Sequence, residues 1–195
     1  MSHGRRTAAL SVRDAASRVE IRLVALPDLL YRITTQADSG LSPRVTGPPG
    51  GVRLALTPTG ANGPDTVTIE LNRTVRWDLN LPAGAGEQHL ELAGGRISRI
   101  RLGSGAALVR LALPRPSDAT VPITIGGAVG ELDIGVPDRT AVWFRLHGGA
   151  GSVAMPSKVP APAAPGAIIN THPGTHAAGY AVDIRSTVGA LALHN

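Results

Sequence analysis

Apolar and polar residues alternate along most of this chain, and glycine-rich turns interrupt the alternation at similar distances. Between Val75 and Met155 one pattern recurs four times, with an apolar strand, a turn and a second apolar strand in each copy. The positions taken as equivalent, separated by 19, 23 and 21 residues, are Gly84, Gly103, Gly126 and His147. A period in the twenties is typical of repeat proteins, so the pattern predicts stacked copies of one structural unit.

Within each copy the apolar residues follow the two-residue period of a β-strand. An amphipathic helix would need apolar residues at i, i+3 and i+4, and the copies lack that spacing. The residues predicted to form one inward ladder are Leu92, Leu111, Ile134 and Met155. Those predicted to alternate in charge on the outer face are Glu91, Arg110 and Asp133. The sequence therefore predicts an all-β, solenoid-like stack of strand-turn-strand rungs with glycine-rich turns.

Weaker forms of the same pattern flank the four copies, at residues 8–23 and 180–193. Terminal repeats of a stack are usually atypical because they need a polar outer face. These two copies are therefore predicted to cap the ends of the stack, where an uncapped rung would invite strand addition. Between the first weak copy and the central four, residues 57–64 have the composition of a hairpin loop. Such a loop would join two paired strands at residues 52–56 and 66–71.

Residues 156–179 break the pattern, since they are rich in proline, carry few charges and show no period. Two interpretations remain open: a flexible linker, or a long loop laid over the stack and anchored by Ile168 and Ile169. The second is favoured because the strand pattern resumes after the segment. The chain is thus predicted to have a disordered tail at residues 1–6 and a single solenoid-like domain at residues 7–195, with a proline-rich loop at about 156–179.

Composition and charge narrow the classes of function. The chain has no cysteine, which excludes disulfides and cysteine nucleophiles. Its net charge is +5, but 18 of its 19 basic residues are arginine and they are scattered, with acidic residues between them. Nucleic-acid-binding proteins usually cluster basic groups and add stacking aromatics. Only five aromatic residues occur here, so a nucleic-acid partner is not expected.

Candidate chemistry is sparse in this sequence. His172 and His176 lie four residues apart with Asp183 beyond them, but Pro173 and Gly174 oppose the helix that would bring both imidazoles to one zinc ion. The glycine-rich turns lack the lysine and the following helix of a phosphate-binding loop, and no serine stands in a nucleophile motif. The sequence therefore predicts no catalytic, cofactor-binding or metal-binding residues, no cofactor and no enzymatic activity.

The two tryptophans receive different interpretations. Trp77 alternates in phase with Leu79 and Leu81 and is predicted to fill the core. Trp143 is out of phase with Phe144, so it faces the opposite side of its strand. The favoured prediction is that another layer, such as the proline-rich segment, covers it, because large aromatic side chains are usually mostly buried. The alternative is an exposed anchor that binds a partner.

Three motifs recur or stand out along the strands: WDLNL at residues 77–81, Gly-Ala turns followed by Leu-x-Leu, and VDxxxxVGxLxL at residues 182–193. Together they resemble the bacterial adhesin-like domains of unknown function that are called toast-rack domains. The resemblance covers residues 7–193. It implies an all-β, solenoid-like domain that is often attached to a membrane segment in proteins of the cell envelope, and it supplies no catalytic residues.

Location and function follow as expectations. No apolar run reaches the ~18–20 residues that cross a membrane as a helix. We expect an extracytoplasmic or envelope location if an export or membrane segment precedes these residues, and a cytoplasmic one otherwise. The favoured function is a non-catalytic interaction or scaffold domain that contacts a protein partner by strand addition or through its surface. The alternative is a module that binds a small ligand or carbohydrate under the proline-rich segment.

Overall fold

Two nine-stranded β-sheets, A and B, make up the fold in this computed structural model, which describes residues 6–117, 119–156, 159–171 and 178–195. In spatial order, sheet A contains β16 (Ala167–Asn170), β13 (Ala141–Leu146), β17 (Gly179–Ile184), β11 (Val121–Ile125), β9 (Arg96–Leu102), β7 (Arg76–Leu81), β1 (Thr7–Val12), β5 (Gly51–Pro58) and β4 (Leu41–Thr46). Sheet B contains β15 (Ala161–Ala163), β14 (Ala150–Ala154), β18 (Val188–His194), β12 (Val129–Gly135), β10 (Ala106–Ala112), β8 (Ala85–Glu91), β2 (Ala16–Val24), β6 (Thr66–Asn72) and β3 (Tyr31–Thr35). These described residues contain no helix, so the all-β prediction is confirmed.

Each rung of the stack consists of one strand in sheet A, a connection and the next strand in sheet B. Seven rungs stack in parallel within the described residues: β1–β2, β5–β6, β7–β8, β9–β10, β11–β12, β13–β14 and β17–β18. Side chains alternate along each strand, so the inner faces of both sheets form one aliphatic core. Leu10, Leu79, Ile100 and Ile123, for example, have no exposed surface. The prediction of a solenoid-like stack of strand-turn-strand rungs is confirmed.

The order of the rungs in space differs from their order along the chain at both ends of the stack. The rung β1–β2 lies between β5–β6 and β7–β8, and the rung β17–β18 lies between β11–β12 and β13–β14. The prediction that residues 8–23 and 180–193 cap the stack is therefore wrong. What weakens the pattern in these copies is the turn, where Arg13 and Arg185 stand in place of glycine. Both copies are interior rungs with parallel partners on each side.

Antiparallel strands close the two ends of the stack. At one end β4 pairs with β5 and β3 pairs with β6. At the other end the segment that was predicted to be a proline-rich loop supplies β16, which pairs with β13, and β15, which pairs with β14. Within this segment Ile169 packs partly buried against the core, whereas Ile168 faces solvent.

The connection at residues 59–65 joins the two sheets and does not form a hairpin. β5 belongs to sheet A and β6 to sheet B, so the two strands have no hydrogen bonds to each other. The hairpin prediction is therefore wrong. Loop composition reveals that the chain turns, but it does not reveal whether the returning strand pairs with its predecessor or with a neighbouring rung.

The register of β8 against its neighbours in sheet B differs by two residues from the predicted register, whereas Leu111 lies opposite Ile134 as predicted. Leu111 of β10 lies opposite Leu90 of β8, and Val109 lies opposite Gln88. Leu92 therefore does not belong to the ladder of Leu111, although it is buried. The prediction was wrong because the polar Gln88 occupies an inward position. The apolar pair Leu90 and Leu92, two residues further along, has the same spacing and was therefore assigned to the ladder.

The same shift changes the turns and the outer face. The amide of Gly103 donates a hydrogen bond to the carbonyl of Leu81, which makes Pro82 its equivalent in place of Gly84. On the outer face the neighbours of Arg110 are His89 and Asp133. The predicted contact between Glu91 and Arg110 is wrong, because Glu91 lies opposite Ala112.

Gln88 is a fully buried polar residue in an otherwise aliphatic ladder. It has no exposed surface, and neither its Nε2 nor its Oε1 has a hydrogen-bond partner among the described residues. Its neighbours across the sheet are Val19 and Val109. A buried amide without partners costs about 1–3 kcal/mol.

We expect the substitution Gln88→Leu to stabilise the protein, because it removes the uncompensated amide and keeps most of the volume. An increase in the free energy of unfolding of about 1–3 kcal/mol should raise the melting temperature by several degrees. Differential scanning calorimetry measures this directly. Gln88→Glu is the matched control, since it buries a carboxyl group in the same place and should destabilise. A Gln88→Leu protein that melts below the wild type would show that the amide has a partner.

Two large aromatic residues tie the core to its connecting segments. Trp77 is fully buried, as predicted, and its Nε1 donates a hydrogen bond of 3.0 Å to the carbonyl of Asn72. The side-chain amide of Asn72 in turn donates to the carbonyls of Leu26 and Leu29, at 2.7 and 2.8 Å. These bonds satisfy polar groups of the loop that leads from β2 to β3, and they fix that loop against the stack.

Tyr180 is also fully buried, and its hydroxyl donates a hydrogen bond of 2.6 Å to the carbonyl of Pro114. Burial raises the pKa of the Tyr180 phenol above its ordinary value of 10.0. Above pH 10 the unfolded chain releases this proton while the folded protein retains it, so stability must fall as the pH rises.

We expect Tyr180→Phe to lower the free energy of unfolding by about 1 kcal/mol at neutral pH, since it removes one buried hydrogen bond. The variant should also lose part of the alkaline destabilisation, so its curve of stability against pH should be flatter above pH 10. Urea unfolding at several pH values tests both statements. Identical alkaline slopes for the two proteins would contradict the assignment of this titration to Tyr180.

No helix within the described ranges has the length and apolarity that crossing a membrane requires.

Candidate functional site

An apolar groove crosses the outer face of sheet A at its β16 end. Trp143 on β13 faces outward there and is half-buried, while Ile168 on β16 is 70% exposed. Together with Ala181, Arg145 and Asp183 they line a groove of about 290 Å³. Large apolar side chains that face solvent on adjacent strands are typical of contact surfaces.

The indole ring of Trp143 is held by the neighbouring strand. A Cβ atom on Gly179 of β17 would lie only 2.6 Å from Cζ3 of this ring. Glycine at position 179 therefore leaves the space in which the ring packs. On the other side Trp143 lies opposite Asn170 of β16, so the proline-rich segment lies beside the tryptophan within the sheet. The six-membered part of the ring therefore packs close to Gly179, and the residue as a whole is half-buried.

A cluster of charged side chains borders the groove. Asp183 accepts hydrogen bonds from Nε2 of His147 at 2.7 Å and from Nε of Arg185 at 3.2 Å. Burial by itself would raise the pKa of the Asp183 carboxyl, but the hydrogen bonds from His147 and Arg185 outweigh it and hold this pKa below its ordinary value. The carboxylate is therefore charged at neutral pH and engaged by its two neighbours.

A second recess, of about 210 Å³, lies at the ends of strands β14, β16 and β18. Met155, Ile169 and Leu193 form much of its apolar wall. Thr140 also lines it, and its buried hydroxyl has no hydrogen-bond partner among the described residues. Met155 thus borders a recess, and it lies just beyond the end of β14.

The outer faces of the two sheets differ in charge. Sheet A presents seven arginines on its strands, Arg44, Arg53, Arg76, Arg96, Arg99, Arg101 and Arg145, against two aspartates, Asp78 and Asp183. Sheet B presents six carboxylates, Glu20, Glu70, Glu87, Glu91, Glu131 and Asp133, against four arginines, Arg18, Arg22, Arg32 and Arg110. The outer face of sheet A is therefore strongly basic, whereas that of sheet B is mixed with an acidic excess.

The structure brings some of the predicted residues together and leaves others apart. Trp143 adjoins Asp183 in the groove, which sequence spacing did not predict. His172 and His176 lie outside the described residues. Among the described residues, no three His, Asp or Glu side chains converge in a way that would hold a metal ion.

Sequence reasoning missed the basic face, because it treated the arginines as scattered. The signal was present: strands that precede a turn are rich in arginine, as Arg99 and Arg101 show, and strands that follow a turn are rich in carboxylates, as Glu131 and Asp133 show. Sorting charges by their position relative to the turn would have separated the two faces.

Comparison with known proteins gives two matches. A family model described as the N-terminal domain of toast_rack, DUF2154, matches residues 54–135. The fold is similar to the crystal structure of a putative cell adhesion protein from Clostridium sporogenes, with a TM-score of 0.66 and 17% sequence identity. That similarity covers 97% of this chain and 93% of the other. No match is found among curated proteins.

Proposed function

We propose that this chain, whose residues 54–135 match the N-terminal toast-rack domain model, is a non-catalytic, adhesin-like interaction domain of the cell envelope. Its contact surface is the outer face of sheet A, with the groove around Trp143 as the anchor point. The relative from Clostridium sporogenes, described as a putative cell adhesion protein, has the same fold and supports this assignment by analogy.

The observation that carries the proposal is that Trp143 and the exposed Ile168 line one groove on a charged sheet face. Tryptophan and arginine are enriched among residues that dominate binding energy, and Arg145 stands two residues from Trp143 on the same face. Because the ring already packs close to Gly179, we expect Trp143 to lose little conformational freedom when a partner covers it.

Surface contact suits this molecule better than strand addition. Both outer strands at the β16 end are short, since β15 has three residues and β16 has four. At the other end β4 contains Pro43, which has no amide hydrogen to donate. Short edge strands and proline are the features by which proteins discourage strand addition.

The charged cluster at the groove supports a binding role over a catalytic one. Asp183 accepts hydrogen bonds from His147 and Arg185, and the His147 side chain is 47% exposed to solvent. A general base needs a substrate proton within hydrogen-bond reach in a pocket that excludes water. An ion-paired cluster on an open sheet face suits the recognition of a charged partner.

A photo-crosslinking amino acid in place of Ile168 tests the proposal in the native cell envelope. A matched probe replaces Ala192, which lies on the outer face of sheet B. We expect protein adducts from position 168 that disappear when Trp143→Ala is added, and none from position 192. Equal adducts from both positions, or none from either, would contradict an interaction surface on sheet A.

A second candidate function is the binding of a small neutral ligand in the recess beside the proline-rich segment. The observation in its favour is Thr140, which lines this recess and has a buried hydroxyl without a hydrogen-bond partner in the part of the chain that the structure describes. The volume of about 210 Å³ suits a monosaccharide-sized or smaller molecule. Thermal-shift screening of neutral sugars and small amides tests it. A saturable shift that Thr140→Val abolishes would support this function, and its absence across the panel would remove it.

A further inference from the structure

A single row of outward side chains crosses the whole of sheet A at right angles to its strands. The register of successive strand pairs places nine residues in this row: Ile168, Arg145, Asp183, Thr124, Arg101, Asn80, Ser11, Arg53 and Thr46. Three of the nine are arginines, and they recur at every third strand. Neutral polar residues fill most of the positions between them.

The spacing of these arginines follows from the geometry of the sheet. Neighbouring strands lie about 4.8 Å apart, so Arg145, Arg101 and Arg53 are separated by about 14 Å along the row. Arg53 and Arg145 form no ion pair with any described residue, and Arg101 reaches Asp78 only at 3.6 Å. All three side chains are exposed. The row therefore presents three cationic groups at a regular interval.

We infer that the partner of this face is an acidic polypeptide in an extended conformation, with carboxylates at every fourth residue. An extended chain advances about 3.4 Å per residue, so four residues cover about 14 Å and return to the same face. An apolar side chain beyond the last carboxylate enters the groove between Trp143 and Ile168. This inference rests on the proposed function and names the chemistry of its partner.

The observations favour a polypeptide over a nucleic acid. A nucleic-acid strand carries a charge about every 3.4 Å of duplex axis, so its phosphates would also approach the carboxylates of Asp183 and Asp78 on this face. Single-stranded nucleic acids are bound through several stacking aromatics. On the described strands of sheet A, Trp143 is the outward-facing aromatic residue. Carboxylates about 14 Å apart match the arginines and place fewer negative charges beside the two aspartates than a phosphate at every nucleotide would.

Two synthetic peptides of equal composition provide the probe. Both contain three glutamates, one leucine and neutral polar residues. In the first the glutamates stand at every fourth position with the leucine beyond the last, and in the second the glutamates are contiguous. Binding is followed by the fluorescence of Trp143, since Trp77 is fully buried and responds little. We expect the first peptide to bind about tenfold more tightly than the second, and its affinity to fall as salt rises.

Matched variants assign the binding to a face. Replacing Arg53, Arg101 and Arg145 with glutamine should lower the affinity of the first peptide by about tenfold or more. Replacing Arg22, Arg32 and Arg110 on sheet B changes the net charge equally and should alter the affinity by less than about twofold. Circular dichroism confirms that both triple variants are folded.

Each other outcome contradicts the inference. Equal losses in both triple variants would mean that net charge, and not the row, attracts the peptide. Equal binding of the two peptides would show that the four-residue spacing of the glutamates does not determine affinity. Tighter binding of an oligothymidine strand through the same arginines would show that this face binds nucleic acid. If neither peptide binds while the adducts at position 168 persist, the acidic partner is wrong and the interaction domain stands.

Discussion

Cutting the chain after Met155 should abolish the native fold. The removed residues include β17 and β18, which pair with the β11–β12 rung on one side and the β13–β14 rung on the other. They also include fully buried core side chains such as Tyr180 and Ile184. Loss of an interior rung opens two parallel strand edges and leaves aliphatic surface in water. We expect an aggregated or largely unfolded product by size-exclusion chromatography with light scattering.

A nicked protein is the control for this truncation. A protease site is inserted within residues 172–177. Cleavage there breaks the covalent link between the β17–β18 rung and the rest of the chain, but every described strand remains present. The cleaved protein should stay folded and elute as one species. Addition of a peptide that spans residues 178–195 to the truncated chain during refolding should restore part of the native signal. A monomeric, cooperatively melting truncated protein would show that the β17–β18 rung is dispensable.

Leu111→Asp should prevent folding at neutral pH. Leu111 is 1% exposed and lies between Leu90 and Ile134 in the inner ladder of sheet B. A carboxylate at this position would have no partner in the core, and burial of an unpaired charge costs several kcal/mol. Since a typical domain has only about 5–15 kcal/mol of stability in total, most of the native population should be lost.

Arg110→Glu is the matched comparison, because it changes the charge of the adjacent residue on the outer face. The new carboxylate would lie opposite Asp133, so we expect a loss of about 0.2–1 kcal/mol and a slightly lower melting temperature. Far-ultraviolet circular dichroism with thermal melting separates the two variants. Small and equal effects would contradict the assignment of Leu111 to the inner face and Arg110 to the outer face.

The sequence predicted those features of the fold that depend on local alternation. Period-two patterns identified the strands, and the phase of Trp77 and Trp143 assigned them correctly to opposite faces of their strands. Register was not predictable in the same way, because a shift by two residues keeps every side chain on its face. Gln88 in an inward position was enough to produce such a shift. The pattern cannot detect an error that leaves the faces unchanged.

The order of rungs and the candidate site depend on long-range contacts, which no local pattern encodes. No local pattern in residues 180–193 indicates that their first strand lies between β11 and β13. Pro43 has no amide hydrogen to donate, yet it lies in β4, because β4 is an edge strand and only one of its sides must form hydrogen bonds. The arginine row likewise combines residues from nine different strands of the chain. It becomes visible only when the strands are placed in their spatial order.

The interior position of the last rung also affects how the protein is made. Synthesis delivers β13 and β14 before the strands that separate them from β11 and β12. At about 5–20 residues per second, the 40 residues after Met155 require roughly 2–8 seconds. During that interval the nascent stack ends at β11–β12, and β13–β14 has no native neighbour on its inner side. The β17–β18 rung therefore joins the stack by insertion, and premature docking of β13 onto β11 would have to be reversed before this rung can form.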